Sequence, residues 1–364
     1  MKTPPFKRAA KAFTMVELLV ATVVLSLLML VCVSAVDTVR RSTTSVRGKT
    51  QQYREARQAF DLITQTLAQA TLNTYWDYYY SDTASNEAPT GSVTPPSAYI
   101  RQSELQFQSG KAMVLIGAGA TPAQNPGHAV FFQAPLGLTQ GRGGLSSLLN
   151  ARGFAIEFND DSGNRPAFLG DYSIAPRFRY RLMEYRPPAE HTTDSPGNPI
   201  YSNPTDWFRQ GLGQSARVVA DNILLLVLSP RVSAETARVS KQPEYWIAPS
   251  YTYNSLDVNN ATPAVDKVSV SAGSAVQGTQ HLLPPVIAVT MIALDEVSAA
   301  RWAELNGNKP IDFLAQAGAP FSDASAYNED LNALEAWLTA QKLHFETFSS
   351  SVVLRNARWD SRTF

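Results

Sequence analysis

Hydrophobic and polar positions fall into distinct regimes along the chain. From Leu18 to Val36, 19 consecutive residues carry no charge, and the apolar run reaches back to Phe13 with Glu17 as its only charged member. At about 1.5 Å rise per residue, the uncharged stretch covers about 28 Å as a helix, close to the hydrocarbon thickness of a bilayer. Proline is absent from it, and its polar members Thr22, Ser26 and Ser34 are of the kind that bond back to a helix backbone. The pattern predicts a transmembrane helix over 13–36, with a buried core helix as the alternative. The next regime is amphipathic. Residues 37–72 contain no proline and one glycine, Gly48, and the apolar positions Tyr53, Ala56, Phe60, Ile63, Leu67 and Ala70, preceded by Val46, follow alternating spacings of 3 and 4. That is a helical stripe. It predicts one helix from Phe13 to about Asn73, on the order of 90 Å long. The striped part must pack against something, most simply a β-sheet of its own chain. A coiled coil is the alternative, but the stripe covers less than four heptads and the stem includes Lys49.

Beyond Thr74 the pattern becomes short apolar runs separated by loops rich in Pro, Gly, Asn and Ser. Residues 75–100 read as a loop. Strands are predicted at Glu104–Gln108, Ala112–Ile116, His128–Gln133, Gly153–Phe158, Arg177–Tyr185, Arg217–Leu228, Val286–Leu294 and Ser351–Arg358. Arg177–Tyr185 alternates Arg177, Arg179 and Arg181 with Phe178, Tyr180 and Leu182, the mark of a half-exposed strand. Helices are predicted at Val297–Asn306, Pro310–Ala317 and Ala326–Lys342, and long loops at 186–206 and 247–280. The expected class is α+β: a long N-terminal helix packed on an antiparallel β-sheet head. The expected segments are a basic leader, 1–12; a transmembrane helix, 13–36; an amphipathic stem, 37–73; and a β-rich extracytoplasmic head, 74–364.

Charge refines this division. The 364 residues include 31 basic and 31 acidic side chains. The zero balance argues against nucleic-acid binding through a global positive field. The charges are unevenly placed, however. The leader holds Lys2, Lys7, Arg8 and Lys11 and no acid, and removing it leaves 27 basic against 31 acidic residues. Residues 37–58 hold six basic and two acidic residues, and 59–364 hold 21 and 28. Positive charge ahead of the span favours a cytoplasmic N-terminus. The basic stem opposes that orientation, so the leader prevails by coming first. A single cysteine, Cys32, allows no intrachain disulfide and no cysteine-based zinc site. A cleaved secretory signal would have a shorter apolar core, typically about 7–15 residues.

Glu17 is the residue that needs a chemical reason, because a carboxylate at the edge of a membrane helix is costly to bury. The segment Lys11-Ala12-Phe13-Thr14-Met15-Val16-Glu17-Leu18-Leu19-Val20-Ala21 resembles the class III signal of type IV pilins and type II secretion pseudopilins. The resemblance implies cleavage by a prepilin peptidase between Ala12 and Phe13 and N-methylation of Phe13. It places Glu17 at the fifth mature position, as the assembly residue, with Lys7, Arg8 and Lys11 as leader charges. The family usually has Gly before the cut, where this chain has Ala12. In an assembled filament, the ammonium of a neighbouring subunit would pair with Glu17 in a low-dielectric core. A carboxylate at the membrane surface, favoured by the helix dipole, is the alternative reading.

The head extends the resemblance. The order of a long helix, a meander, Asp221-Asn222-Ile223-Leu224-Leu225 and Leu283-Pro284-Pro285-Val286-Ile287 is similar to J-type minor pseudopilins. Tyr180-Arg181-Leu182-Met183-Glu184-Tyr185, Ala293-Leu294-Asp295-Glu296 and Val353-Leu354-Arg355-Asn356 resemble the Verru_Chthon cassette protein C family. These resemblances imply a bacterial minor subunit of the inner membrane, single-pass, whose partners are prepilin peptidase and other pilin-like subunits. They imply no catalytic residues, no cofactor and no nucleic-acid partner.

Other candidate chemistry is sparse. His128, His191, His281 and His344 stand in no metal-ligand spacing and read as strand or loop histidines. Gly117-Ala118-Gly119-Ala120 and Gly141-Arg142-Gly143-Gly144 read as turns. Asn159-Asp160-Asp161-Ser162-Gly163-Asn164 offers oxygen ligands for calcium near Asp160 but lacks the distal Glu of a complete loop, and it reads as a hairpin turn. Two alternative functional classes remain: a singly anchored extracytoplasmic binding domain, and an anchored hydrolase.

Overall fold

The computed structural model describes residues 15–80, 82, 87–91, 94–139, 147–163, 165–166, 168, 172–187, 207–209, 212–257 and 278–359, with the side chains of 37–52, 213 and 214 excepted. The chain divides into two compact units, Met1–Gln51 and Gln52–Phe364. Helix α1, Met15–Leu67, supplies the described part of the first unit and opens the second.

In the second unit the predicted stripe is a buried face. Ala56, Ala59, Phe60, Ile63 and Leu67 join the main core, and the Phe60 ring lies 5.9 Å from that of Phe348. Each of the three large side chains contributes about 1.5–3 kcal/mol by leaving water. The helix ends at Leu67 rather than Asn73. The backbone first tightens, with Gln69 N bonding to Thr66 O and Ala70 N to Leu67 O. Thr71 N then bonds to the carbonyl of Gln133 at 2.9 Å, so this stretch follows a strand instead of continuing the helix.

The strands are β1 (Tyr75–Tyr79), β2 (Ala98–Gln102), β3 (Gln108–Lys111), β4 (His128–Pro135), β5 (Leu149–Asn159), β6 (Arg179–Tyr185), β7 (Ala216–Asp221), β8 (Ile223–Arg231), β9 (Tyr253–Asn254), β10 (Val286–Leu294) and β11 (Phe345–Val353). They form a six-stranded sheet ordered β7-β6-β5-β4-β3-β9, a three-stranded sheet ordered β11-β10-β8, and the pair β1-β2. All pairings are antiparallel. The class is therefore α+β, an apolar N-terminal helix followed by antiparallel sheets, consistent with the expected pilin-like class.

Period-2 alternation gives the large sheet two chemically distinct faces. Val130, Phe132, Phe154, Ile156, Tyr180 and Leu182 enter the main core together with β8 and β10. Ala129, Phe131, Ala151, Ala155 and Tyr185 form a second cluster on the opposite face, under Ala112, Leu115, Trp207 and Phe208. Helices α2 (Ala112–Ile116), α3 (Ala234–Ser240), α4 (Glu296–Leu305), α5 (Phe313–Ala317) and α6 (Tyr327–Ala340) complete the elements used below.

Several expectations are corrected. Ala112–Ile116 is a helical turn, not a strand. Its Ala112 and Leu115, at i and i+3, bury on the sheet, and Gly117 at φ +87° stops it. Of Glu104–Gln108 only Gln108 is strand. The preceding amides are satisfied by side chains instead: Leu105 N by Asn73 Oδ1, Gln106 N by Gln133 Oε1 and Phe107 N by Ser255 Oγ. Residues 75–100, expected as a loop, contain β1 and the start of β2. β6 is not half-exposed. Arg179 and Arg181 are buried, because Arg179 Nη2 reaches Glu296 at 3.0 Å and Arg181 Nε reaches Asp221 at 2.7 Å. The Arg217–Leu228 run is two strands, broken at Asn222, and the last strand is Phe345–Val353 rather than Ser351–Arg358. Helix α3 was not anticipated; Ser233 caps it by accepting from Thr236 N at 3.1 Å. The expected loop 186–206 lies almost wholly outside the described residues.

Candidate functional site: the N-terminal helix

The described part of the candidate site is the first turns of α1. Met15–Val36 is 22 residues long with a mean hydropathy of 2.8, long and apolar enough to cross a membrane, and none of its most apolar window is buried within the chain. Leu18, Leu25, Leu30 and Val33 are each more than half exposed, on all sides of the helix. A helix apolar all round finds its environment in lipid or among other helices. The polar positions within it are neutralised locally. Thr22 Oγ1 donates to Leu19 O at 2.9 Å, Ser26 Oγ to Thr22 O at 2.8 Å and Ser34 Oγ to Val31 O at 2.8 Å. This leaves Glu17, in the first turn, as the one charged side chain between Met15 and Val36. A carboxylate near the N-terminal end of a helix is favoured by the helix dipole. Ala12, Phe13, Lys7, Arg8 and Lys11 lie outside the described residues.

The competing sites in the head are explained by structure. His128 is buried between two backbone groups: Leu228 N donates to its Nδ1 at 3.1 Å, and its Nε2 lies 3.2 Å from Phe321 O. Burial lowers its pKa to about 4. His281 is likewise lowered to about 4, by burial and then by the charge of Arg101. The backbone amide of His344 donates to Ser298 Oγ, and His191 lies outside the described residues. In the Asn159–Gly163 loop, Asp160 Oδ1 accepts from Ser162 N at 2.9 Å. Asp161 accepts from Arg177 N at 2.9 Å and Nε at 3.2 Å, so its oxygens are engaged by a neighbouring arginine. Among the described residues, no group of three His, Cys, Asp or Glu side chains is placed to hold a metal ion. The Gly117–Ala120 segment is a turn closed by Ala120 N on Gly117 O, and Gly141–Gly144 lies outside the described residues.

Comparison with known proteins agrees with the helix. A family model described as the prokaryotic N-terminal methylation motif matches residues 7–33, a span that takes in Lys7, Arg8, Lys11, Ala12, Phe13 and Glu17. No curated protein and no solved structure matches the chain. The motif points to a structural, pilin-type protein, and it implies processing by a prepilin peptidase and assembly with pilin-like subunits. The chain thus carries a type IV pilin-like class III signal on a helix long and apolar enough to cross a membrane, which indicates a prepilin-processed protein of pilin-like or pseudopilin-like character.

Proposed function

We propose that the protein is a minor pilin-like subunit, cut between Ala12 and Phe13, N-methylated on Phe13, and assembled through its N-terminal helix into a type IV pilus or a type II secretion-like filament. The observation that carries this reading is the methylation motif at residues 7–33, continuous with an apolar helix whose one acid is Glu17 in its first turn. Lys7, Arg8 and Lys11 hold the leader on the cytoplasmic side of the inner membrane, and the β-rich head lies outside it. In the filament, the Phe13 ammonium of one subunit pairs with Glu17 of a neighbour, which offsets the desolvation of both charges. Residues 13–36 form the filament core, 37–73 the stem and 74–364 the head. The head motifs favour a Verru_Chthon cassette protein C or J-type minor pseudopilin as the nearest kind. Mass spectrometry of the mature protein from a host with prepilin peptidase tests the reading. N-methyl-Phe13 as the first residue is expected; an intact Met1, or a cut near Ala35, overturns it.

A further inference from the structure

The outer face of the six-stranded sheet carries a cavity of about 430 Å³ that the filament reading does not use. Its lining includes the small residues Gly153 and Ala155 of β5, the apolar side chains of Phe131 and Met183, and Tyr185 of β6. That size falls within the range of small-ligand sites, about 300–1,000 Å³. One carboxylate also lines it, Glu157.

Glu157 stands directly across from Arg181 in the β5–β6 register. A cross-strand pair of opposite charge usually forms an ion pair. Here Arg181 is turned to other partners: its Nε donates to Asp221 at 2.7 Å, Nη1 to the Asn159 carbonyl at 2.6 Å and Nη2 to the Arg177 carbonyl at 3.2 Å. The charge of Arg181 is thus countered by Asp221. Glu157 has no hydrogen bond or ion pair among the described residues. Burial raises its carboxyl pKa, and the Arg181 charge opposes that rise. A half-buried carboxylate without a partner is a costly arrangement. A bound cation of the right shape would relieve it. The site holds one acid and several apolar side chains, which suits an organic monocation better than a metal ion.

We propose that this cavity binds an alkylguanidinium or alkylammonium group, with the cationic head on Glu157 and the alkyl stem against Phe131, Met183 and Tyr185. The source is either the end of an arginine or lysine side chain of a partner protein or a free amine of the same chemistry. The proposal is independent of the filament reading. Calorimetric titration of the full-length protein in detergent micelles tests it, with n-butylguanidine as the probe and n-butylurea as its neutral isostere. Saturable binding of butylguanidine is expected, with butylurea and the Glu157→Gln variant each weaker by about tenfold or more. An Ala155→Leu variant, which fills the cavity, should lose binding altogether. Capped arginine binding as tightly as butylguanidine identifies a partner's side chain as the source; markedly weaker binding of capped arginine identifies a free amine. No saturation by about 10 mM butylguanidine, or equal binding of butylurea to the unmodified protein, overturns the proposal without reliance on any variant.

Discussion

Phe131 of β4 lies flat over Gly153 of β5. A Cβ added to Gly153 would stand 2.3 Å from Phe131 Cδ1 and 2.5 Å from Cε1. The two residues are register partners, and the Phe131 ring is also stacked on Phe208, with ring centroids 4.0 Å apart. The ring covers backbone that a side chain would otherwise shield, and it cannot retreat without breaking the stack. Gly153→Ala is therefore expected to destabilise the head by about 1–3 kcal/mol, read by urea unfolding. Adding Phe131→Leu should recover part of the loss. Full stability of the single variant would show that the ring moves freely.

Glu184 is fully buried and accepts from two arginines, Arg152 Nη1 and, at 2.7 Å, Arg217 Nε. Arg152 is itself buried, whereas the Arg217 side chain is half exposed. Removing the central charge strands a buried guanidinium. Glu184→Gln should cost about 3–5 kcal/mol, while Arg217→Ala should cost about 1 kcal/mol or less. Equal costs in chemical denaturation would mean that burial does not set the energetics of this triad.

The helical stripe from Tyr53 to Leu67 was legible because a 3-and-4 spacing is local and needs no knowledge of the partner surface, whereas Ala70, the last position of the expected stripe, lies in the turn beyond the helix. The N-terminal motif was legible for the same reason, its chemistry being confined to one contiguous segment. Ala112–Ile116 was not, since five apolar residues fit a strand or a helical turn equally well, and the deciding fact is the sheet face that Ala112 and Leu115 cover. Nor was the cavity at Glu157. The sequence places Glu157 in a strand and Arg181 in another, and only the tertiary structure shows Arg181 turned to Asp221 and Asn159.

His128 makes the head sensitive to acid. Its pKa falls to about 4 on burial, from 6.5 in the unfolded chain. The folded value is the lower one, so protons bind preferentially to the unfolded state as pH drops. The stability at stake is complete above pH 6.5 and is lost progressively as pH falls toward 4. One such site contributes a slope of about 1.4 kcal/mol per pH unit within that window, about 3 kcal/mol across it. His281 adds in the same direction. A His128→Gln variant should show a shallower slope of unfolding free energy between pH 6 and 4.5, by about one proton. An unchanged slope would mean that His128 titrates normally in the folded protein.

If Glu17 acts between subunits, its loss should spare membrane insertion and abolish assembly. Insertion is driven by the apolar run Leu18–Val36, which Glu17→Ala leaves intact and makes more hydrophobic. The variant should fractionate with membranes at normal abundance, yet its incorporation into sheared filaments should fall by about a hundredfold or more, because removing one partner of a buried ion pair costs about 3–5 kcal/mol. Filament incorporation at the normal level would remove the role assigned to Glu17.

Asn222 decides where one sheet ends and the next begins. The apolar sequence predicts a single strand through Arg217–Leu228, yet Asn222 adopts a left-handed φ of +61°. The residues before it pair with β6 and those after it with β10. The conformation is fixed by two bonds: Asn222 Nδ2 donates to Glu296 Oε2 at 2.8 Å, and its carbonyl accepts from Leu294 N at 2.8 Å. Asn222→Ala loses the side-chain bond and leaves a Cβ in a backbone region that alanine disfavours, for a combined cost of about 2–3 kcal/mol. Asn222→Gly loses the same bond but accepts the conformation without strain. The expected order of stability in thermal or urea unfolding is therefore Asn, then Gly, then Ala. In a continuous strand the last two would exchange places, because glycine weakens a strand interior relative to alanine. Their order thus reports directly whether the chain crosses between sheets at this residue.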